Sequence, residues 1–174
     1  MVRDFAVLSF LAVTGCRLGG LAHLMLSDLR LDDLDPRIQR RAYVVEKGKK
    51  GRYVFLDQEA VDALRSWLAV RPECADNHVF IGCANGQTDR HALREGGLYE
   101  VVKRYAMKAG VKGNDALWSP HQWRHRFGRR WLERGGDLSR LAQLMGHSTS
   151  QITSEHYGQL EIDLLQDGFD NLLG

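Results

Sequence analysis

The residues with the most chemistry in this chain are His121, Arg124 and His125, within the run His121-Gln122-Trp123-Arg124-His125, followed by Met145-Gly146-His147 and then Tyr157. Upstream stand Thr14-Gly15-Cys16-Arg17 and the basic stretch Lys47-Gly48-Lys49-Lys50-Gly51-Arg52. Together these groups suit metal-free attack on a phosphodiester. A guanidinium grips two phosphate oxygens at once. A lysine beside other cations has its pKa lowered toward the working pH and can protonate a leaving oxygen. A phenol ionises only near pH about 10 unless nearby cations and a phosphate held in line activate it. Each group also has an ordinary reading: polar residues on a solvent-facing helix, a solubilising turn, a buried tyrosine. Order, spacing and chemical completeness favour the catalytic reading.

Elements must hold these groups in place. Val2 to Val13 is apolar with helical spacing, and Thr14-Gly15 ends it, because glycine tolerates the left-handed position past a helix C-terminus. That segment is read as a core helix rather than a signal peptide, since Arg3-Asp4 is a poor positive leader. Leu18, Leu21, Leu24 and Met25 predict a second short helix over 19–25, and residues 27–36 a polar connection. Arg41 to Val45 and Tyr53 to Leu56 flank a Gly/Lys turn and predict a hairpin. Asp57 can cap a helix over 58–70. Residues 71–92 read as irregular around an extended Val79-Phe80-Ile81, and a further helix spans 97–109.

Ser119-Pro120-His121-Gln122 combines a serine cap, a proline at the first helical position and a capping-box glutamine. The helix it starts should run to residue 133 or 134 and stop at Gly135-Gly136. His121 and Arg124, three apart, then share one face near the positive end of the helix dipole, where a phosphate is favoured. Trp123, Phe127 and Trp131 form an apolar stripe beside it, and Gly128 leaves the His121 side open. Asp137 caps another short helix that Gly146 ends, and 151–157 and 161–172 read as helical pieces. The fold class is therefore mainly α with one small antiparallel β-sheet (α+β).

With 174 residues, 44% of them hydrophobic, the chain can bury one substantial core. No apolar run approaches the roughly eighteen residues of a membrane span, so no membrane partner is expected. Three cysteines, Cys16, Cys74 and Cys83, are odd in number and lack metal-ligand spacing, which points to reduced thiols and a cytoplasmic protein. Cys16 reads as a small apolar residue packed under the turn. Net charge is +2, but unevenly spread: Arg37 to Arg52 holds seven basic residues against the single acid Glu46, whereas after Arg140 there are five acids and no lysine or arginine. A basic body suits a polyanion and an acidic tail suits a protein contact.

The motifs resemble those of the tyrosine recombinases, the integrase family that includes lambda integrase and the Xer resolvases, over about residues 3 to 160. Thr14-Gly15-Cys16-Arg17 is similar to the family's first arginine motif, with Leu24 and Asp28 where that motif continues. Lys47 matches the hairpin lysine, with Lys49 and Lys50 as competitors, and Arg52 the arginine that follows it. His121-x-x-Arg124-His125 resembles the His-x-x-Arg box, Met145-Gly146-His147 the Leu-Gly-His motif, and Tyr157 the nucleophile. In two places the chain departs from the pattern. Gly20 stands where the family often has glutamate, three residues after the first arginine. Ten residues, rather than nine, separate His147 from Tyr157.

The resemblance implies a site-specific recombinase that cuts and rejoins double-stranded DNA through a 3′-phosphotyrosyl intermediate, with no cofactor and no metal. Catalytic roles fall to Arg17, Lys47, His121, Arg124, His147 and Tyr157; Lys49, Lys50, Arg52 and His125 are expected to contact DNA. It also implies a catalytic domain over 1–160, a tail helix over 161–174 that can dock on a neighbouring protomer, and a homo-oligomer on DNA, a synaptic tetramer. An N-terminal core-binding domain is expected to lie outside this chain. Alternative readings are type IB topoisomerase-like relaxation and a catalytically decayed DNA-binding accessory protein.

Overall fold

The computed structural model describes residues 1–31, 40–46, 51–82, 91–110, 120–146, 153, 157, 158, 160 and 162–165. They form six α-helices and a three-stranded antiparallel sheet: α1 (Val2–Thr14), α2 (Leu18–Ala22), β1 (Leu29–Arg30), β2 (Arg41–Val45), β3 (Gly51–Phe55), α3 (Gln58–Val70), α4 (Glu95–Lys108), α5 (Pro120–Glu133) and α6 (Leu138–Met145). The chain divides into two compact units, Met1–Arg124 and His125–Gly174. Among the described residues no helix is long and apolar enough to cross a membrane.

In the first unit α1 packs on α3, and α2 on α4. Ala6, Val7, Phe10 and Leu11 of α1 are fully buried with Leu21, Leu64, Phe80, Ile81 and Leu98. As expected, α1 ends at a glycine: Gly15 has φ 56° and donates its amide to Leu11 O at 3.1 Å. Thr14 Oγ1 closes the last turn on Phe10 O at 2.7 Å. Asp4, buried on the same helix, is held by Arg3 at 2.9 Å and by Arg104 of α4 at 3.4 Å.

The sheet alternates as a half-buried sheet should. Ala42, Val44 and Val54 face the core, whereas Tyr43, Val45, Tyr53 and Phe55 face out. Tyr43 pairs with Tyr53 across the ladder, their rings edge to face at 5.2 Å, with the Arg41 guanidinium 4.4 Å from the Tyr53 ring.

Two expectations need correction. The second helix is only Leu18–Ala22; the chain leaves it early because the Leu24 carbonyl accepts from the Val79 amide and Leu26 N donates to Asn77 O. The connection after it is not wholly irregular: a 3₁₀ turn at Leu26–Asp28 leads into β1, which adds a third strand through Leu29 opposite Ala42. A two-residue strand shows no alternation, so long-range pairing alone creates it. Residues 71–82 likewise lack repetitive structure yet are tied down. Arg71 donates to the Asp76 and His78 carbonyls, and the Asp76 carboxylate accepts the amides of His78 and Ala92.

The second unit centres on Leu132, Leu141, Met145 and Tyr157, with Phe127, Trp131, Leu138, Leu160 and Leu164 packed around them. Helix α5 stops at Gly135 (φ 80°), and α6 is capped by Asp137, whose carboxylate accepts from Arg140 N at 2.8 Å, and ended by Gly146 (φ 65°). Asp57 caps α3 in the same way, accepting from Ala60 N at 2.9 Å. Replacing an N-cap aspartate by alanine leaves an amide without its acceptor, so Asp57→Ala is expected to lower unfolding free energy by ~1 kcal/mol. Urea denaturation monitored by circular dichroism measures it; an unchanged midpoint would mean the cap contributes nothing.

Candidate active site

Arg17 leaves the Gly15 turn as the N-cap of α2, in extended conformation (φ −75°, ψ 152°). Two of its hydrogen bonds reach one carboxylate: its backbone N–H donates to Glu46 Oε1 at 2.7 Å and its guanidinium to Glu46 Oε2 at 2.8 Å. Glu46 follows the last residue of β2, and its side chain is 5% exposed. Arg52 of β3 reaches the same carboxylate at 3.3 Å, and the Arg124 guanidinium lies 3.9 Å from it. Arg124 is itself buried and donates to the Gly15 carbonyl at 2.9 Å. The turn that carries Arg17 therefore also anchors Arg124, which lies far along the chain.

The electrostatics follow from burial. Burial alone would raise the Glu46 pKa, but Arg52, the Arg17 amide, Arg124 and the Arg17 guanidinium together hold it below the ordinary carboxylate value. Burial, reinforced by the Arg17 and Arg52 charges, lowers the Arg124 pKa to about 10 against the pull of Glu46, so the group stays cationic at neutral pH. Cys16 lies under this cluster, 2% exposed, and burial pushes its thiol up to about 11; it is a packing residue, as expected. Arg17 remains 38% exposed and is the cation of the group most open to an incoming anion.

In the second unit Tyr157 is 5% exposed, and its hydroxyl lies 3.2 Å from His125 Nδ1. Gly128 makes this possible. A Cβ there would stand 2.5 Å from Tyr157 Cζ and 2.6 Å from its oxygen. Gly128 thus seats the phenol rather than opening the His121 face, and His125, expected at DNA, stands at the phenol. Thr153 is fully buried on the same segment.

Of the other candidates, His121 is exposed on α5, three residues before Arg124. Arg52, also expected at DNA, turns inward, with a side chain 12% exposed against Glu46. Lys47, Lys49, Lys50 and His147 lie outside the described residues. Sequence reasoning missed Glu46 as part of the site, although its position as the lone acid among seven cations was a signal. Among the described residues no three of His, Cys, Asp and Glu gather to hold a metal ion.

Two measurements test this geometry. Glu46 is ionised below its unfolded pKa, so its contribution to stability is fully present above about pH 4.3 and is lost as pH falls through the lower folded value. The Tm difference between wild type and Glu46→Gln should therefore be constant at neutral pH and shrink in acid; a difference independent of pH would remove the ion cluster. Gly128→Ala should displace the Tyr157 ring, read as a change in its aromatic proton shifts; unchanged shifts would contradict the packing.

The sequence profile described as the Phage integrase family matches residues 1–162. Among curated relatives, Tyrosine recombinase XerC of Corynebacterium glutamicum is 36% identical over 154 residues, covering 87% of this chain and 45% of that protein. Tyrosine recombinase XerC of Corynebacterium efficiens is 32% identical over 169 residues, 96% of this chain and 49% of that one. The chain thus spans about half the length of the curated relatives it matches. The crystal structure of XerA recombinase superposes with a TM-score of 0.77 at 26% identity, over 99% of this chain and 59% of that one. XerH site-specific recombinase bound to palindromic difH substrate shares the fold, with a TM-score of 0.75 at 21% identity over 97% of this chain and 45% of that one.

Proposed function

The chain belongs to the phage integrase family, and we propose from that membership that it carries the catalytic centre of a tyrosine-type site-specific recombinase acting on double-stranded DNA. The observation that carries this reading is the meeting of Arg17 and Arg124 on one buried carboxylate, with Arg17 still open to solvent. Two guanidiniums gathered in this way suit a single scissile phosphate. The XerC relatives are tyrosine recombinases by name, and the XerH structure of the same fold holds its palindromic difH substrate.

In this mechanism the Tyr157 oxygen attacks phosphorus. A 3′-phosphotyrosyl bond forms, the bond to the 5′-oxygen breaks, and Lys47 gives that oxygen its proton. His125 orients the phenol through Nδ1, and His121 takes its proton or orients it further. Arg17, Arg124 and His147 stabilise the added charge on the pentacoordinate phosphorus; a preorganised donor of this kind commonly contributes ~3 kcal/mol. No external energy source is needed, because the phosphotyrosine keeps the bond energy and a 5′-hydroxyl from another strand reverses the step. Lys49 and Lys50 add charge to the DNA-facing side, where phosphate contacts position without reading bases, while Arg52 acts inside the cluster through Glu46.

We further propose that the reaction runs in the cytoplasm, on DNA bound by a homo-oligomer, a synaptic tetramer. The tail supports such an assembly. Leu160 and Leu164 pack on the second unit's core, whereas Ile162 and Leu165 are 59% and 68% exposed. An apolar tail received by a pocket on the next protomer is a head-to-tail contact that can close a ring. In the domain reading the catalytic region spans 1–160 and the tail 161–174.

The test is covalent capture. Incubated with a pool of nicked duplexes of randomised sequence, the wild-type chain should give an SDS-resistant adduct whose modified peptide contains Tyr157. Tyr157→Phe should give none while binding the same DNA with the same salt dependence. An adduct that survives in the Phe variant would reassign the nucleophile.

A further inference from the structure

We infer that Glu46 is the positioning residue of the arginine pair, and that Gly20 is glycine because the Glu46 side chain occupies the space beside it. This deepens the recombinase reading and rests on it for its catalytic consequence, though not for its geometry. Three observations carry the inference.

First, Glu46 holds both the backbone and the side chain of Arg17, so it sets where that residue starts and where its charge ends. An exposed arginine with neither tie would be spread over many rotamers. Second, the carboxylate is nearly inaccessible, and burying a charge is unfavourable unless partners offset it. Its partners here are three guanidiniums that would otherwise repel one another: Arg17, Arg52 and Arg124. One carboxylate among three cations lets them crowd together and leaves the cluster positive, as an anion site must be. Third, Gly20 on α2 faces this side chain. A Cβ at position 20 would stand 3.1 Å from Glu46 Cγ and 3.6 Å from its Oε1. A glutamate placed at 20 would thus put its own carboxylate, three bonds from that Cβ, at the same spot. The two positions are alternative sources of one charge, and this chain supplies it from the strand rather than from the helix.

The exchange is testable with Glu46→Gln, Glu46→Gly and the relocated double variant Gly20→Glu/Glu46→Gly. Without DNA, guanidinium N–H exchange of Arg17, followed by nitrogen-resolved NMR on the 174-residue chain, should be slow in wild type and in the double variant. It should be faster by about tenfold or more in the two single variants, because Glu46→Gln removes the charge and one of the two oxygens that Arg17 uses, and Glu46→Gly removes the acceptor altogether. On the nicked duplex enriched from the randomised pool, Glu46→Gln should lower the maximal adduct rate about 10²-fold, as loss of an aligned oxyanion donor does. Duplex affinity should stay within about threefold, so the loss lies in the chemical step. The double variant should recover most of the rate while Glu46→Gly does not. A residue that only stabilised the fold would lower Tm without this pattern of loss and rescue.

Unchanged Arg17 exchange in folded Glu46→Gln overturns the inference. So does failure of the double variant, folded with wild-type Tm, to regain either slow exchange or adduct rate. If wild type itself forms no adduct, the recombinase reading fails, and the exchange measurement alone decides the positioning role.

Discussion

A buried carboxylate shared by three arginines is the constraint on which the first unit's chemistry depends. The buried Arg124 guanidinium would be unfavourable there without Glu46. Arg124 loses water, Arg17 and Arg52 repel it, and the carboxylate would itself be costly to bury without them. Together they form a cluster in which every member depends on the others, and it joins segments that no local signal relates: the turn after α1, the end of β2, the strand β3 and the start of α5. Geometry at Arg17 is consequently inherited from the whole unit rather than from its own short helix.

The core beneath has the form this cluster requires. Cys16 and Thr14 fill the space under the turn, and Gly15 takes the left-handed conformation that lets α1 stop where Arg17 can emerge. The Gly15 carbonyl, freed at the helix end, becomes the acceptor for Arg124. One glycine therefore ends a helix, aims one arginine and anchors another. In the second unit a different glycine has the corresponding task. Gly128 accepts the Tyr157 ring against α5, where any side chain would collide with it, and so brings the phenol to His125.

How much of this was legible depends on how local the signal was. Helices α1, α3, α5 and α6 were readable because caps and stops act within a few residues: Gly15, Asp57, Pro120, Gly135, Asp137 and Gly146 all sit at the boundaries they mark. The hairpin strands were readable from alternation. Strand β1 was not, because its two residues become a strand only by pairing with Arg41 and Ala42. The second helix was overextended because its apolar spacing continues through Leu24 and Met25, which bond instead to the segment around His78 and Val79.

The candidate site divides along the same line. Residue types, order and spacing, with the family resemblance they carry, are enough without coordinates to name Arg17, His121, Arg124 and Tyr157 as candidates, because attack on a phosphodiester would need those functional groups. Partnership is another matter. That Glu46 would be the acid holding two of those arginines, that Gly20 would make room for it, and that His125 would face the phenol all depend on which strands and helices pack together. Side-chain chemistry is a property of one residue and can be read from one letter; a buried ion cluster is a property of several distant segments in one space, and only folding brings them there.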